Sequence, residues 1–165
     1  MNIPEGCSWL PGLVLNPGKW EDYLRTLYNF YSQDFIIDPP VFRTQTLRIK
    51  RHPKIEGKDR TFCHLIAEGN SEDNRIPDFR RCERIRWPKP IIEHEDDIEI
   101  KVWENRRKGE TRICLWFETN NYLVILSKRS TYILFWTAYP VKYSHTKEKL
   151  KKEYSNYIKR LAPPC

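Results

Sequence analysis

Apolar positions along the chain recur first at helical spacing and later in alternation. Trp20, Tyr23, Leu24, Leu27, Tyr28 and Tyr31 follow one another at intervals that place them on one face of a helix. Asn16-Pro17 supplies a start for it, Asn as cap and Pro at the first helical position, and Asp38-Pro39-Pro40 ends it. Residues 41–49, VFRTQTLRI, alternate loosely and suit a strand or an extended connector. Asp59 is placed to cap a short helix whose buried stripe is Phe62, Leu65 and Ile66 and whose terminator is Gly69. After the polar loop GNSEDNR, Pro77 opens a second short helix, PDFRRCERIRW, which Pro88 stops. The acidic run Glu93 to Asp97 reads as a solvated linker.

The second half changes period. IEIKVW (98–103), TRICLWFE (111–118), NYLVILS (121–127) and TYILFWTAY (131–139) are rich in β-branched and aromatic residues. The gaps between them, ENRRKGE, TN and KRS, are too short for crossovers, so neighbouring strands run antiparallel as a meander. Ser144 is placed to cap a lysine-rich closing helix with Leu150, Tyr154, Tyr157, Ile158 and Leu161 on one face. The expected class is α+β: N-terminal helices, a four-stranded antiparallel meander, then a C-terminal helix.

Length adds that 165 residues suit a single domain spanning the chain, with residues 1–38 as a helical segment and 40–155 as its core. Charge adds a class of partner. Lysine and arginine number 29 against 22 acidic residues, a net charge of +7, which favours nucleic acid, an anionic surface or an acidic protein. The five cysteines, Cys7, Cys63, Cys82, Cys114 and Cys165, are scattered and form no CxxC pair. That excludes a zinc ribbon and fits free thiols in a reducing compartment. The first eighteen residues lack a basic region and are broken by prolines, a poor signal peptide, and no run approaches the length of a membrane span. A soluble cytoplasmic protein, without a membrane partner, is the expectation. Six unclustered glycines exclude a P-loop.

Candidate chemistry comes from four places. On a helix over 59–68, His64 projects opposite Phe62, Leu65 and Ile66 and is accessible; on a strand it shares a side with Phe62 and Ile66. An accessible imidazole exchanges protons near neutral pH, whereas a lone histidine beside apolar residues is more often structural. Lys50-Arg51-His52 is a cation cluster ending at Pro53, either an exposed basic loop or a set of phosphate contacts. Arg80, Arg81 and Arg84 fall within about 100° of one another on a helical wheel, opposite Phe79. Three guanidinium groups on so narrow a face are eased by a bound anion, unless Glu83 and solvent suffice. Thr137 and Tyr139 share a strand face with Phe135 by alternation, putting two hydroxyls at a strand end. A competing constellation is Pro77-Asp78 with Glu99-Ile100-Lys101, which matches the spacing of a metal-dependent PD…ExK nuclease, although a carboxylate in a first helical turn also serves as a dipole partner.

Three blocks, "KRHPKIEGKDRTFCHLIAEG", "RIPDFRRCERIRWPKPIIE" and "FWTAYPVKYSHTKEKLKKEY", together resemble the phage- and toxin-associated branch of the barnase–EndoU–colicin–RelE superfamily of metal-independent ribonucleases. The similarity covers most of residues 40 to 155; residues 1 to 35 match less. It implies a fold of helices followed by a four-stranded antiparallel sheet. It also implies RNA cleavage without a cofactor, often by a toxin or phage-defence effector held in check by an acidic antitoxin or immunity protein. Such cleavage uses the 2′-OH as nucleophile and leaves a 2′,3′-cyclic phosphate. It needs a proton acceptor, a proton donor and cations around phosphorus. The resemblance implies that the active-site residues fall in the histidine block, the arginine block and the TAY strand; within them the chemistry points to His64 for acid–base work, Arg81 and Arg84 for the phosphate, Thr137 for its orientation, and Tyr139 for base stacking or proton donation. Lys50, Arg51 and Arg80 add RNA-binding charge, and His52 is a second proton carrier. Two other readings stand beside it: a non-catalytic RNA-binding module built on basic and aromatic surface, and the PD…ExK nuclease through Asp78, Glu99 and Lys101.

Overall fold

In the computed structural model, residues 7–69, 71 and 74–164 are described; Cys165 and part of the GNSEDNR loop lie outside them. The architecture is α+β. A helical N-terminal half is followed by one four-stranded antiparallel sheet and a C-terminal helix. The helices are α1 (Trp20–Tyr31), α2 (Arg60–Ile66), α3 (Phe79–Glu83), α4 (Pro88–Glu93) and α5 (Ser144–Leu161). Two minor hairpins lie in the first half, β1 (Val41–Phe42) with β2 (Gln45–Thr46), and β3 (Ala67–Glu68) with β4 (Ile76–Pro77). The main sheet runs β5 (Ile100–Arg107), β6 (Glu110–Phe117), β7 (Tyr122–Lys128), β8 (Ile133–Pro140), in that spatial order. Among the described residues no helix is long and apolar enough to cross a membrane.

The aromatic stripe of α1 packs as its spacing predicts: Tyr23, Leu27 and Tyr31 are fully buried. Its start is later than Asn16-Pro17 predicts. Gly18 has φ +127°, outside the helical region, and the Asn16 side chain accepts from Gly18 N–H at 2.9 Å, so the helix begins only at Trp20. A π-helical turn, Ser32–Ile37, carries the chain to the predicted stop at Asp38.

Further on, Pro88 opens a helix where the sequence pattern predicts only a stop, because Pro fits a first turn that has no N–H to lose. The segment from Trp87 is therefore not a run into a linker: Ile91 and Ile92 are fully buried, while Glu95 accepts from Arg43 and Asp97 from Trp9. Gly69 does not cap α2, which ends at Ile66 and passes directly into β3. Gly69 is instead approached by the Asn74 carbonyl, which a Cβ would meet at 2.6 Å.

The meander matches its pattern, with one shift of boundary. β5 continues through Asn105, Arg106 and Arg107, and a two-residue turn with Lys108 at φ 50° and Gly109 at φ 77° joins it to β6. Alternation divides the sheet's two faces. Ile113, Leu115, Phe117, Tyr122, Val124, Leu126 and Phe135 join the core under α1–α4. Trp103, Cys114, Trp116 and Leu123 form a second apolar layer with Leu150, Tyr154 and Tyr157 of α5. The closing helix thus lies on the opposite face from the others. Its stripe is only half used: Ile158 and Leu161 are exposed, and Ser144 is its first helical residue instead of its cap.

Candidate functional site

The site is organised by a fault in β8. Leu126 pairs with Phe135, but Ile125 pairs with Thr137, so Trp136 is an extra residue at a β-bulge. The bulge overturns the simple alternation read from the sequence. Phe135 stays in the helical core, whereas Tyr139 packs with the apolar layer on the other face. A strand with perfect alternation through this point could not present Trp136, Thr137 and Tyr139 outward while keeping Phe135 and Ala138 buried.

β8 is an edge strand, and its edge is closed by the segments that carry the predicted residues. Residue 48 bridges it in parallel: Arg48 N–H donates to the Ile133 carbonyl at 2.9 Å, and Phe135 N–H donates to the Arg48 carbonyl at 2.8 Å. Lys50 follows two residues on. Its N–H donates to Thr61 Oγ1 at 2.8 Å and its carbonyl accepts from Thr61 N–H at 3.0 Å, clamping it to the first turn of α2. From there the Lys50 ammonium lies 4.6 Å from the Trp136 ring centre. Arg112 of β6 reaches the same ring at 4.1 Å.

Three of the predicted catalytic residues are linked in one chain of contacts. Arg81 of α3 donates through Nη1 to the main-chain carbonyls of His64 (3.1 Å) and Ala67 (3.2 Å) at the end of α2, which also accept from Arg75 Nη2 (3.4 and 2.5 Å). The same guanidinium lies 5.2 Å from the Tyr139 ring centre. Burial raises the Tyr139 phenol above its ordinary range, with the positive charges of Arg107 and Arg81 working against that, so the hydroxyl is a proton donor at neutral pH. His64 itself is half-buried on the rim of α2, with Phe62, Leu65 and Ile66 turned to the core as the helical reading predicts.

The remaining predicted residues go elsewhere. The Arg51 guanidinium is held by the buried Asp59, Nε to Oδ2 at 3.2 Å. His52 is exposed in the loop before Pro53. The arginine face does not survive as a face. α3 is only five residues long, so Arg84 falls at its cap and turns back to the Arg80 carbonyl at 3.0 Å and to Glu83 at 3.4 Å. Arg80 and Arg84 line a separate depression with Lys142 and Lys147.

Beside Tyr139 the open sheet face forms a groove of about 540 Å³ under the first turns of α5. Arg107, Lys108, Arg112 and Lys149 line it, with Trp136, Tyr139 and His145. One carboxylate enters, Glu153, and it is largely satisfied by Asn105 Nδ2 (3.0 Å), Trp103 Nε1 (3.2 Å) and Arg107 (3.9 Å). Cys114 forms part of the floor; burial pushes its thiol up to about 12, which removes it as a nucleophile at neutral pH. His145 and Glu153 sit eight residues apart on α5, about 12 Å along the axis, too far to serve one phosphate as an acid–base pair.

Sequence reasoning missed this groove. The strand pattern leaves Arg107 and Lys108 in a gap, and only the hairpin geometry brings them to the sheet's open face. Trp136 stands in plain view within FWTAY, but its place in the site depends on the bulge.

The Asp78, Glu99 and Lys101 set is dispersed. Asp78 caps α3 through the N–H groups of Arg80 and Arg81 and pairs with Lys142 at 2.7 Å. Glu99 accepts from Thr119, and Lys101 pairs with Glu118. Among the described residues no group of three or more His, Cys, Asp or Glu is gathered to hold a metal. Comparison with protein-family models, curated proteins and solved structures finds no match.

Asp78 and Lys142 yield a pH prediction. Burial opposes ionisation of Asp78, but the hydrogen bond and charge of Lys142, with the two backbone donors, outweigh it and hold the carboxyl below its usual range. The hydrogen bond to Asp78 raises Lys142. Asp78's contribution to stability is therefore present above its unfolded value of about 3.9 and lost as pH falls through the lower folded value. Lys142's is present below about 10.4 and lost as pH rises through the higher folded value. Melting temperatures of wild type and Lys142→Met should differ by a constant amount from neutrality down to about pH 4 and converge below it. A gap that persists unchanged at the lowest pH would break the link.

Proposed function

We propose that this chain is a metal-independent endoribonuclease whose RNA lies along the bulged end of β8. The observation that supports this reading is the Arg81 guanidinium, which bonds the main-chain carbonyl of His64 and lies against the Tyr139 ring at one strand end, with Lys50 held over Trp136. The chemistry fits the parts. The scissile phosphate sits by the Arg81 guanidinium, which meets the charge developing on phosphorus. His64 exchanges a proton with the 2′-OH or the departing 5′-oxygen, and the neutral Tyr139 phenol is the second donor. Thr137, two residues back along β8, orients the phosphate. The cationic groove carries the neighbouring nucleotides, and a toxin or effector of this kind is held by an acidic partner that covers the same charge.

The dispersal of Asp78, Glu99 and Lys101 weighs against the metal-dependent alternative. The binding-module reading rests on the same groove and is separated from cleavage by experiment. Purified protein incubated with a mixed RNA substrate in excess EDTA should generate fragments ending in 2′,3′-cyclic phosphate. Binding without fragments would make this an RNA-binding module. Fragments that appear only when magnesium is restored would return the reaction to a metal.

A further inference from the structure

The depression that holds Arg80 and Arg84 takes no part in that chemistry, yet two elements that line the groove, β8 and α5, also line it. Tyr139 lines the groove and Pro140, the next residue of β8, lines the depression. On α5, His145 and Thr146 line the groove and Lys147 lines the depression. The two hollows are thus separated by one residue step at the end of β8, where the strand passes from one face of the sheet to the other, and by one at the start of α5. Resting on the ribonuclease reading, we infer that the depression is a second phosphate subsite for the same single RNA strand, which passes from the groove over the Tyr139–Pro140 step.

Its cations divide by availability. Lys142 is committed to Asp78 (2.7 Å) and Glu68 (3.3 Å), and Arg84 to Glu83 and the Arg80 carbonyl. Arg80 is exposed and Lys147 half-exposed, and neither ion-pairs with a described residue, so both are open to an incoming anion. Two cations held by neighbours and two without an ion pair to a described residue thus line one depression. The asparagines Asn120 and Asn121 complete the wall. Asn121 is held in the left-handed region at φ 50° by the turn between β6 and β7. Its carbonyl accepts from Val141 N–H, so the wall is tied to the end of β8. Carboxamides beside two cations suit a nucleotide, base edge and phosphate together, better than a run of carboxylates. An acidic protein partner is the competing occupant.

The subsite makes affinity depend on strand length. The probes are fluorescein-labelled 2′-O-methyl RNA oligonucleotides, which bind but cannot be cleaved, of about 4 and about 12 nucleotides, both within the usual range of single-strand site sizes. Wild type should bind the longer probe more tightly. Arg80→Gln/Lys147→Gln should weaken the longer probe on the order of tenfold and erase most of the length advantage. Its log–log salt slope should flatten by about 0.7 for each phosphate that is no longer neutralised. Arg80 is exposed and Lys147 only partly buried, so an unchanged melting temperature is the check on folding. A variant that keeps the full length advantage overturns the subsite while leaving the ribonuclease reading intact. The same holds if the variant keeps RNA affinity but loses binding to a poly-glutamate peptide, which hands the depression to an acidic partner. Wild type that neither binds nor cleaves RNA of any length removes the ribonuclease reading, and the subsite with it.

Discussion

His64→Ala should lower RNA cleavage by about 10²–10⁴-fold, the usual contribution of a positioned general acid or base. The reason is where the residue is held. α2 buries Thr61, Phe62, Leu65 and Ile66, which leaves His64 on the rim. Its carbonyl is fixed by Arg81, so the residue cannot drift from the guanidinium that lies against Tyr139. The loss should fall on kcat, because a proton-transfer group acts in the transition state more than in binding. The pH–rate profile should also lose the limb that an imidazole contributes. His145→Ala supplies the contrast, since His145 lines the groove but lies on α5. Its effect should appear in KM. A full rate in His64→Ala with collapse in His145→Ala would move proton transfer into the groove and overturn the assignment.

The second large effect concerns stability. Asp59 is fully buried at the N-terminus of α2, yet its carboxylate caps no helical N–H. It accepts instead from Tyr31 Oη at 3.1 Å and Arg51 Nε at 3.2 Å, with Lys54 at 3.8 Å. Burial first, and then the charge of Asp59, keep the Tyr31 phenol neutral far above its ordinary range. Asp59→Ala leaves that buried hydroxyl without its acceptor, which costs about 1–3 kcal/mol. The half-exposed Arg51 and Lys54 add at most about 1 kcal/mol, because solvent screens them. For a domain of this size the total corresponds to a fall in Tm of about 2–16 °C. Tyr31→Phe in the Asp59→Ala background should recover part of it, since no polar group is then stranded. A melting temperature of Asp59→Ala within about 1 °C of wild type would show that the pair contributes nothing to stability. The same change should loosen the Lys50–Thr61 clamp and hence the site, so cleavage should fall even at temperatures where the variant is folded.

Much of the fold was legible in the sequence, and so were the residues that meet at β8, but not their grouping. Lys50, His64, Arg81, Thr137 and Tyr139 all stand out as chemistry-bearing residues in three separate blocks. What brings them together is the pairing of residue 48 with β8 and the packing of α2 and α3 against that edge, over long sequence separations that no local pattern encodes. Arg51 and Arg84 look equivalent to their neighbours in sequence and are not, because a buried aspartate takes one and a five-residue helix turns the other away. The helical wheel for 80–84 fails for a plain reason: a wheel assumes a helix longer than this one.

Local chemistry carried what is short-range. Period-two alternation of β-branched and aromatic residues with gaps of two to seven residues leaves an antiparallel meander as the simplest pairing, and the four strands form it. Helical spacing in 20–31 and 144–161 likewise has one solution each. Tertiary structure decided the rest. It placed α5 on the face opposite the other helices, opened a cationic groove beside it, and inserted Trp136 as a bulge that turns Tyr139 outward. A single extra residue in a strand reverses which side chains are buried. Its position is set by how the whole core packs, which the order of residues along β8 does not reveal.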